Sequence, residues 1–375
     1  MFFCLLGVLS VLLMITLANL IFGPRLQNAP ARENTPLISV LVPARNEAAK
    51  IENCLRDLLA QDYPAFEIFV LNDGSTDDTA RIAQRCAELD SRVRVIEGAS
   101  LPSGWLGKNW ACHQLSVQAR GEIFIFTDAD LRYSTRVLSH TVAWMQKLNL
   151  GMLSAFSQHD THTMPEKLVV PLFDMLVYSY LPLWLTYLSR RPSLAAANGH
   201  WLAFTRAAYL RLGGHAQVRH EIVEDVELMR LAKRKGESVL TVCGKGEIFG
   251  RMYENLRGIW EGYSKNLFGL MRFRAAPFFA MLGLLTGIHV LPYILVWFAP
   301  YTKPAAAAIA LNLLLRLVLA LGYGHPILTS VLLHPFAIVL FLMIGLNSYR
   351  WHKTGKMRWK GRAFSTHAFR SERSS

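Results

Sequence analysis

Four stretches decide the fold: Leu37–Val42 (LISVLV), Glu67–Leu71 (EIFVL), Val93–Glu97 (VRVIE) and Glu122–Thr127 (EIFIFT). Each is short, rich in branched and aromatic side chains, and bounded by turn-forming residues, as buried strands are. Between the first two, Ile51, Leu55, Leu58 and Leu59 recur at helical spacing. After the second, a helix is expected from about Thr76, with Ile82, Ala83 and Cys86 turned inward. Continuous apolar strands alternating with amphipathic helices predict an α/β domain with a parallel sheet covered on both faces. Ligands of such sheets bind beyond the carboxyl ends of the strands. The polar clusters fall there: Pro43–Glu47, Asn72–Asp78 and Asp128–Asp130.

Outward from this core the chain turns apolar. It has 375 residues, is 52% hydrophobic and has a mean hydropathy of +0.24. Residues 1–23 form a stretch long enough to span a bilayer, without the basic start or small-residue cleavage site of a signal peptide. Arg25 and Arg32 follow, which puts its C-terminal end in the cytoplasm. Residues 24–36 read as a linker and 37–273 as the catalytic domain. Within that domain Met164–Leu188 is apolar but interrupted by Pro171, Asp174 and Pro182, the pattern of an interfacial helix. Residues 274–349 hold three candidate membrane segments, Ala276–Ala299, Pro304–Leu321 and Ile327–Leu346.

Residues 350–375 are a basic tail carrying +7 of the formal +13. Its position beside an apolar segment suits anionic headgroups on the cytoplasmic side, not nucleic acid. Three full crossings would leave the tail outside, so one segment is expected to be re-entrant. Pro304–Leu321, interrupted by Arg316, is the first suspect. The expectation is a multi-pass cell-membrane protein with a cytoplasmic catalytic domain. Five scattered cysteines with no CxxC pair fit a reducing compartment.

Three sets of residues carry chemistry. Asp128-Ala129-Asp130 places two carboxylates at a strand's carboxyl end, hard oxygen ligands suited to Mg2+ or Mn2+ on a diphosphate. Pro102–Trp110 (PSGWLGKNW) is a glycine-containing loop whose Lys108 offers a point charge to phosphate. Glu224-Asp225 opens a helix over Val226–Lys235, where the two carboxylates either cap the helix or act as a base.

Pro43-Ala44-Arg45-Asn46-Glu47, Asn72-Asp73-Gly74-Ser75-Thr76-Asp77, the DxD pair and the later Glu224-Asp225 stand in that order over about Leu37 to Phe268. In this the chain resembles family 2 glycosyltransferases of the GT-A fold. The resemblance implies a Rossmann-like nucleotide-sugar domain flanked by N-terminal and C-terminal transmembrane helices. It implies that Pro43, Glu47 and Asp73 contact the nucleoside of a donor, a UDP-sugar by preference, and that Asp225 is the general base of an inverting transfer.

GWLGK at Gly104–Lys108, Arg251-Met252-Tyr253, and Trp260–Asn266 (WEGYSKN) resemble a membrane-bound subgroup acting on carotenoids and hopanoids. From that subgroup come donor-binding roles for Lys108, Asp128 and Arg251. An acceptor pocket of Gly199, His200, Trp201, Glu224 and Trp260 comes with them, and Arg362 in the tail is a further candidate. The QxxRW string of processive synthases is absent from the sequence, which argues for transfer of a single sugar, and the subgroup resemblance implies a terpenoid lipid as its acceptor. A polyprenyl-phosphate acceptor, or a non-catalytic sugar-nucleotide sensor, is the alternative.

Overall fold

The computed structural model describes residues 2–355 and the backbone of two short paired strands, Arg358–Trp359 and Arg362–Ala363. The side chain of Arg362 and most of the basic tail lie outside the described residues. The chain divides into two compact units, and both are discontinuous in sequence. One comprises residues 23–158 and 183–251, the other residues 1–22, 159–182 and 252 onward.

The first unit is the α/β domain. Its strands are β1 (Ile38–Ala44), β2 (Phe66–Asn72), β3 (Val93–Glu97), β4 (Ile123–Phe126), β5 (Leu131–Tyr133), β6 (Met152–Phe156), β7 (Leu202–Thr205), β8 (Val239–Cys243) and β9 (Ile248–Gly250). Seven of them form one sheet in the order β3-β2-β1-β4-β7-β6-β8. β1 pairs in parallel with β2 and β4, and β6 with β8. β7 runs antiparallel between β4 and β6, so the sheet is mixed where the sequence predicts a parallel one. Strand direction depends on how the chain returns to the sheet, and residue type does not record that.

Both faces of the sheet are buried, which explains why its strands show no polar alternation. Val40, Val42, Ile68 and Val70 pack on one side with α2 (Ile51–Leu59) and α5 (Val137–Lys147). Leu41, Phe69, Leu71, Phe124 and Phe126 pack on the other with α4 (Gly107–Gln118) and α9 (Glu224–Arg234). Each such side chain contributes about 1.5–3 kcal/mol on burial. A charge on β2 is buried as well. The Glu67 carboxylate on β2 accepts from Ser39 Oγ (2.7 Å), from the Arg120 backbone N–H (3.0 Å) and from the Arg120 guanidinium (2.7 Å).

α3 runs over Thr79–Leu89, three residues later than the sequence pattern suggests. The reason is local. Asn46 Oδ1 accepts from Thr76 N (2.8 Å), and Asp77 accepts from Thr79 N (3.1 Å) and Ala48 N (3.1 Å). Side-chain oxygens thus take the amides that a longer helix would have used. Glu47 N donates to Thr79 Oγ1 (2.7 Å) and Asn46 N to Ser75 Oγ (3.1 Å). The loops after β1 and β2 are therefore stitched into one rigid ledge. Gly74 turns that ledge at φ +60°, where a side chain would be strained.

The second unit is helical: α1 (Phe2–Phe22), α6 (Met164–Tyr180), α10 (Leu256–Leu270), α11 (Ala275–His289), α12 (Leu291–Leu295), α13 (Thr302–Tyr323), α14 (Ile327–Leu332) and α15 (His334–Thr354). Among the described residues, α1 and α13 are long and apolar enough to cross a membrane. α10 and α11, bent at 117°, pass the same test together. Pro304–Leu321, the segment suspected of re-entry, thus lies within one of the two uninterrupted candidates. Its Arg316 is fully buried and donates to the carbonyls of Ser330 (3.0 Å) and Pro171 (3.3 Å). That is how a charge is kept off lipid. The interfacial piece expected over Met164–Leu188 is divided: Met164–Tyr180 is one 17-residue helix, α6, with Pro171 inside it, and Leu185–Leu188 is a separate short helix, α7, of the first unit. Asn19 Nδ2 donates to the Tyr178 and Leu181 carbonyls at the end of α6, each at 2.8 Å. Phe3, Met14, Ile21 and Phe22 of α1, together with Trp297, Phe298, Leu328 and Phe336, are exposed.

Candidate active site

The carboxyl ends of β1, β2 and β4 gather the expected donor residues. Pro43 is in β1, opposite Leu71 of β2. Glu47 and Asp73 sit on the two stitched loops, with Asp73 N bonded to Ala44 O (2.8 Å). Arg45, which sequence reasoning passed over, donates to the Asp73 carbonyl at 2.6 Å and fixes its loop. β4 ends at Phe126, and Thr127 ties the next turn down by donating to the His200 carbonyl (2.6 Å). Tyr133 holds the Asp128 carbonyl (3.3 Å). The backbone of the DxD turn is thereby fixed while both carboxylates remain accessible.

Each of those carboxylates faces a lysine. Lys108 Nζ is 2.8 Å from Asp128 Oδ1, and Lys50 Nζ is 3.7 Å from Asp130 Oδ2. Lys108 also reaches Glu224 Oε1 at 3.4 Å. Burial pulls its ammonium pKa down, but Asp128 and Glu224 outweigh that and leave it above the usual lysine range. Lys108 thus joins Asp128 to the carboxylate pair on α9. Lys50 carries no motif signal, because it precedes α2 in sequence and only the tertiary fold brings it to Asp130.

Asp225 is the second residue of α9, whose N-cap position is Val223. Its Oδ2 accepts from Gly199 N (2.7 Å) and its Oδ1 from Val226 N (2.7 Å). Burial and the charge of Glu224 push its pKa up to about 7 from 3.8, against the pull of these amides and Lys108. Gly199 has a specific reason to be glycine. A Cβ there would lie 3.0 Å from Lys108 Nζ, 3.5 Å from Glu224 and 3.6 Å from Asp225, filling the space where the three groups meet. Asn109, buried on α4, donates to the carbonyls of Val218 (2.8 Å) and Glu221 (3.0 Å) and holds the approach to α9.

The other acceptor-side residues separate. His200 is tied through Nδ1 to Ser157 Oγ (2.7 Å), and burial keeps its imidazole below the usual histidine range. Trp201, expected to line the pocket, is instead fully buried in the core. Its indole donates to Thr141 Oγ1 (3.0 Å) and its ring lies 5.4 Å from Tyr133. Arg251 follows β9, where Gly250 pairs with Leu131, so the register carries its backbone toward Asp130. Trp260 lies on α10 of the helical unit.

A divalent ion fits Asp128 and Asp130 only as a shared ligand. Among the described residues no group of three or more His, Cys, Asp or Glu could hold a metal alone. The two carboxylates are hard oxygen donors, 27% and 28% exposed, and a metal there would take its remaining ligands from diphosphate and water.

Residues 39–206 match the family model described as glycosyl transferase family 2. Those residues form a family 2 glycosyltransferase domain. A 4,4'-diaponeurosporenoate glycosyltransferase of Staphylococcus haemolyticus is 26% identical over 355 residues, covering 89% of this chain and 90% of that protein. The protein of that description from Staphylococcus aureus is 25% identical over 371 residues, covering 96% and 97%. A solved mannosyltransferase from Pyrobaculum calidifontis, in complex with GDP-Man and Mn2+, resembles this structure with a TM-score of 0.56. It is 20% identical and covers 94% of this chain and 100% of its own. The glycosyltransferase domain therefore has the GT-A fold that the sequence motifs imply.

Proposed function

We propose that this glycosyltransferase moves one sugar, with inversion, from a nucleotide diphosphate sugar to the polar end of a membrane terpenoid. The observation that carries the reading is Asp225. Its carboxylate is oriented by the Gly199 amide, poised near neutral pH, and joined through Glu224 and Lys108 to Asp128. A general base works best when its pKa lies near the working pH.

The acceptor oxygen attacks the anomeric carbon from the side opposite the diphosphate. The new C–O bond forms as the sugar–phosphate bond breaks, and the acceptor's proton passes to Asp225. The stitched loops with Pro43, Glu47 and Asp73 would hold the nucleoside, UDP by preference, while Lys108 and Arg251 face the diphosphate. A divalent ion, Mg2+ or Mn2+, held by Asp128 and Asp130 would supply charge neutralisation at the departing diphosphate. Positioning and electrostatics do the rest.

Two carboxylates on the acceptor side repel a phosphate, which favours a terpenoid alcohol or protonated acid over a polyprenyl phosphate. The apolar surfaces of α1 and of the segments from Leu284 to Phe336 suit a protein that meets its acceptor in the bilayer. We place the protein in the cell membrane with the catalytic unit cytoplasmic. The test supplies detergent-purified protein with labelled UDP- and GDP-sugars and either carotenoid or hopanoid acceptors or a panel of soluble saccharides. Transfer to the lipid is expected, and transfer to saccharides with none to lipid overturns the reading.

A further inference from the structure

We propose that Lys50 and Lys108 are the site's own counter-cations, closing the Asp128–Asp130 pair to a free divalent ion and yielding it only when a nucleotide diphosphate enters alongside. The inference rests on the metal reading above and adds an order of binding to it. The two lysines come from different elements, the residue before α2 and the first turn of α4. Each meets one carboxylate of the pair, at 3.7 and 2.8 Å. A Mg2+-sized ion bonds carboxylate oxygen at about 2.0–2.1 Å. At Asp128 it would lie against the Lys108 ammonium, and the two positive charges would repel strongly at that range.

A diphosphate changes the balance. Lysine is a compact charge on a flexible stem and can swing from a carboxylate to a phosphate oxygen. Once the lysines move to the incoming diphosphate, both carboxylates are free for the metal, and positive and negative charge remain matched throughout. The bare Cα of Gly199 leaves the Lys108 ammonium room to move, since a Cβ there would stand 3.0 Å from Nζ. In moving, Lys108 also leaves Glu224, so donor arrival alters the charge beside the base.

The test titrates full-length, detergent-solubilised protein with Mn2+, following free Mn2+ by EPR, for the wild type and for Lys50→Met, Lys108→Met and the double variant. Without nucleotide, the double variant is expected to bind Mn2+ at least tenfold more tightly than the wild type. Adding UDP or GDP should tighten Mn2+ binding in the wild type far more than in the variant. Lys50→Met alone, at the residue farther from the base, gives the same direction of change if the double variant fails to fold. Equal Mn2+ affinity in wild type and variants without nucleotide, with Mn2+ bound normally in its presence, overturns this inference alone. Absence of Mn2+ binding in every protein, with UDP and with GDP, overturns the metal reading and this inference together.

Discussion

At Asp225, two amides and a neighbouring carboxylate act on one side chain in opposite senses. The amides orient it and lower its pKa; burial and Glu224 raise it further, to about 7. Asp225→Asn keeps the shape and the bond from Gly199 N but cannot take a proton. Its kcat should fall by about 10²–10⁴ while donor binding persists, which product assays and nucleotide titration will separate. In the wild type kcat/KM should climb as pH rises through about 7 and then level off. Stability follows the opposite course. A folded-state pKa raised from 3.8 means that the stabilising contribution is full below that value and is lost as pH rises through about 7. The melting temperature of Asp225→Asn relative to wild type should therefore increase between pH 5 and pH 8. Asp128, Asp130, Lys108 and Asp225, which the fold sets at the carboxyl ends of the strands and the start of α9, each stand in a string that the sequence singles out. Lys50 does not, since nothing in its neighbourhood records which residue it meets across the fold. Trp201 misled for a physical reason: an indole reads as a pocket wall until its N–H is found to have a core partner in Thr141.

Among the elements, the strands were read well and their surroundings less so. Val93–Glu97 and Ile123–Phe126 fall where the residue pattern sets them, because apolar runs between turn residues have few other fates. The start of α3 differs because Asn46, on the loop after β1, takes the Thr76 amide while Asp77 takes those of Thr79 and Ala48, contacts that helical periodicity cannot see. Two substitutions test how tightly the elements constrain the site. Gly199→Ala should lower kcat at least tenfold, with the melting temperature little changed, because its methyl enters the space between Lys108 and Asp225. Rate and thermal unfolding measured on the same sample decide it. Glu67→Ala acts through the sheet instead. It leaves Ser39 Oγ buried and short of its acceptor, and should cost about 1–3 kcal/mol in denaturant unfolding with the donor KM little changed.

For the whole molecule, α1, α13 and the bent α10–α11 pair are the candidate membrane spans among the described residues. α1 would deliver the catalytic unit to the cytoplasm, since Arg25 and Arg32 follow it. If α10 with α11 is one crossing and α13 a second, the chain returns to the cytoplasm with its basic end, in keeping with its charge. A cysteine placed at Lys353 on a cysteine-free background should then label only after the membrane is permeabilised. Labelling in intact cells would mean that the α10–α11 pair does not cross. Hydropathy revealed the apolar segments but not the division of the chain, because α6 and α10 read as parts of the enzyme domain. Pro171 and Asp174 look like helix interruptions in the sequence, yet α6 absorbs the proline and buries the aspartate.

The position of α6 within the chain also sets the order in which a ribosome can complete this protein. β6 has no partner among the strands made before it, since β7 must lie between it and β4. β7, Gly199 and Asp225 are all synthesised after α6. At roughly 5–20 residues per second, the nascent chain spends several seconds with half a sheet and no base. During that interval α6 has already emerged and can pack against α1, where Thr16 donates to Ser179 and Asn19 to the Tyr178 carbonyl. A partial chain thus lacks Asp225 until α1 and α6 have both been made. Expressing residues 23–158 alone should yield an open sheet that aggregates along β4, not a smaller soluble enzyme.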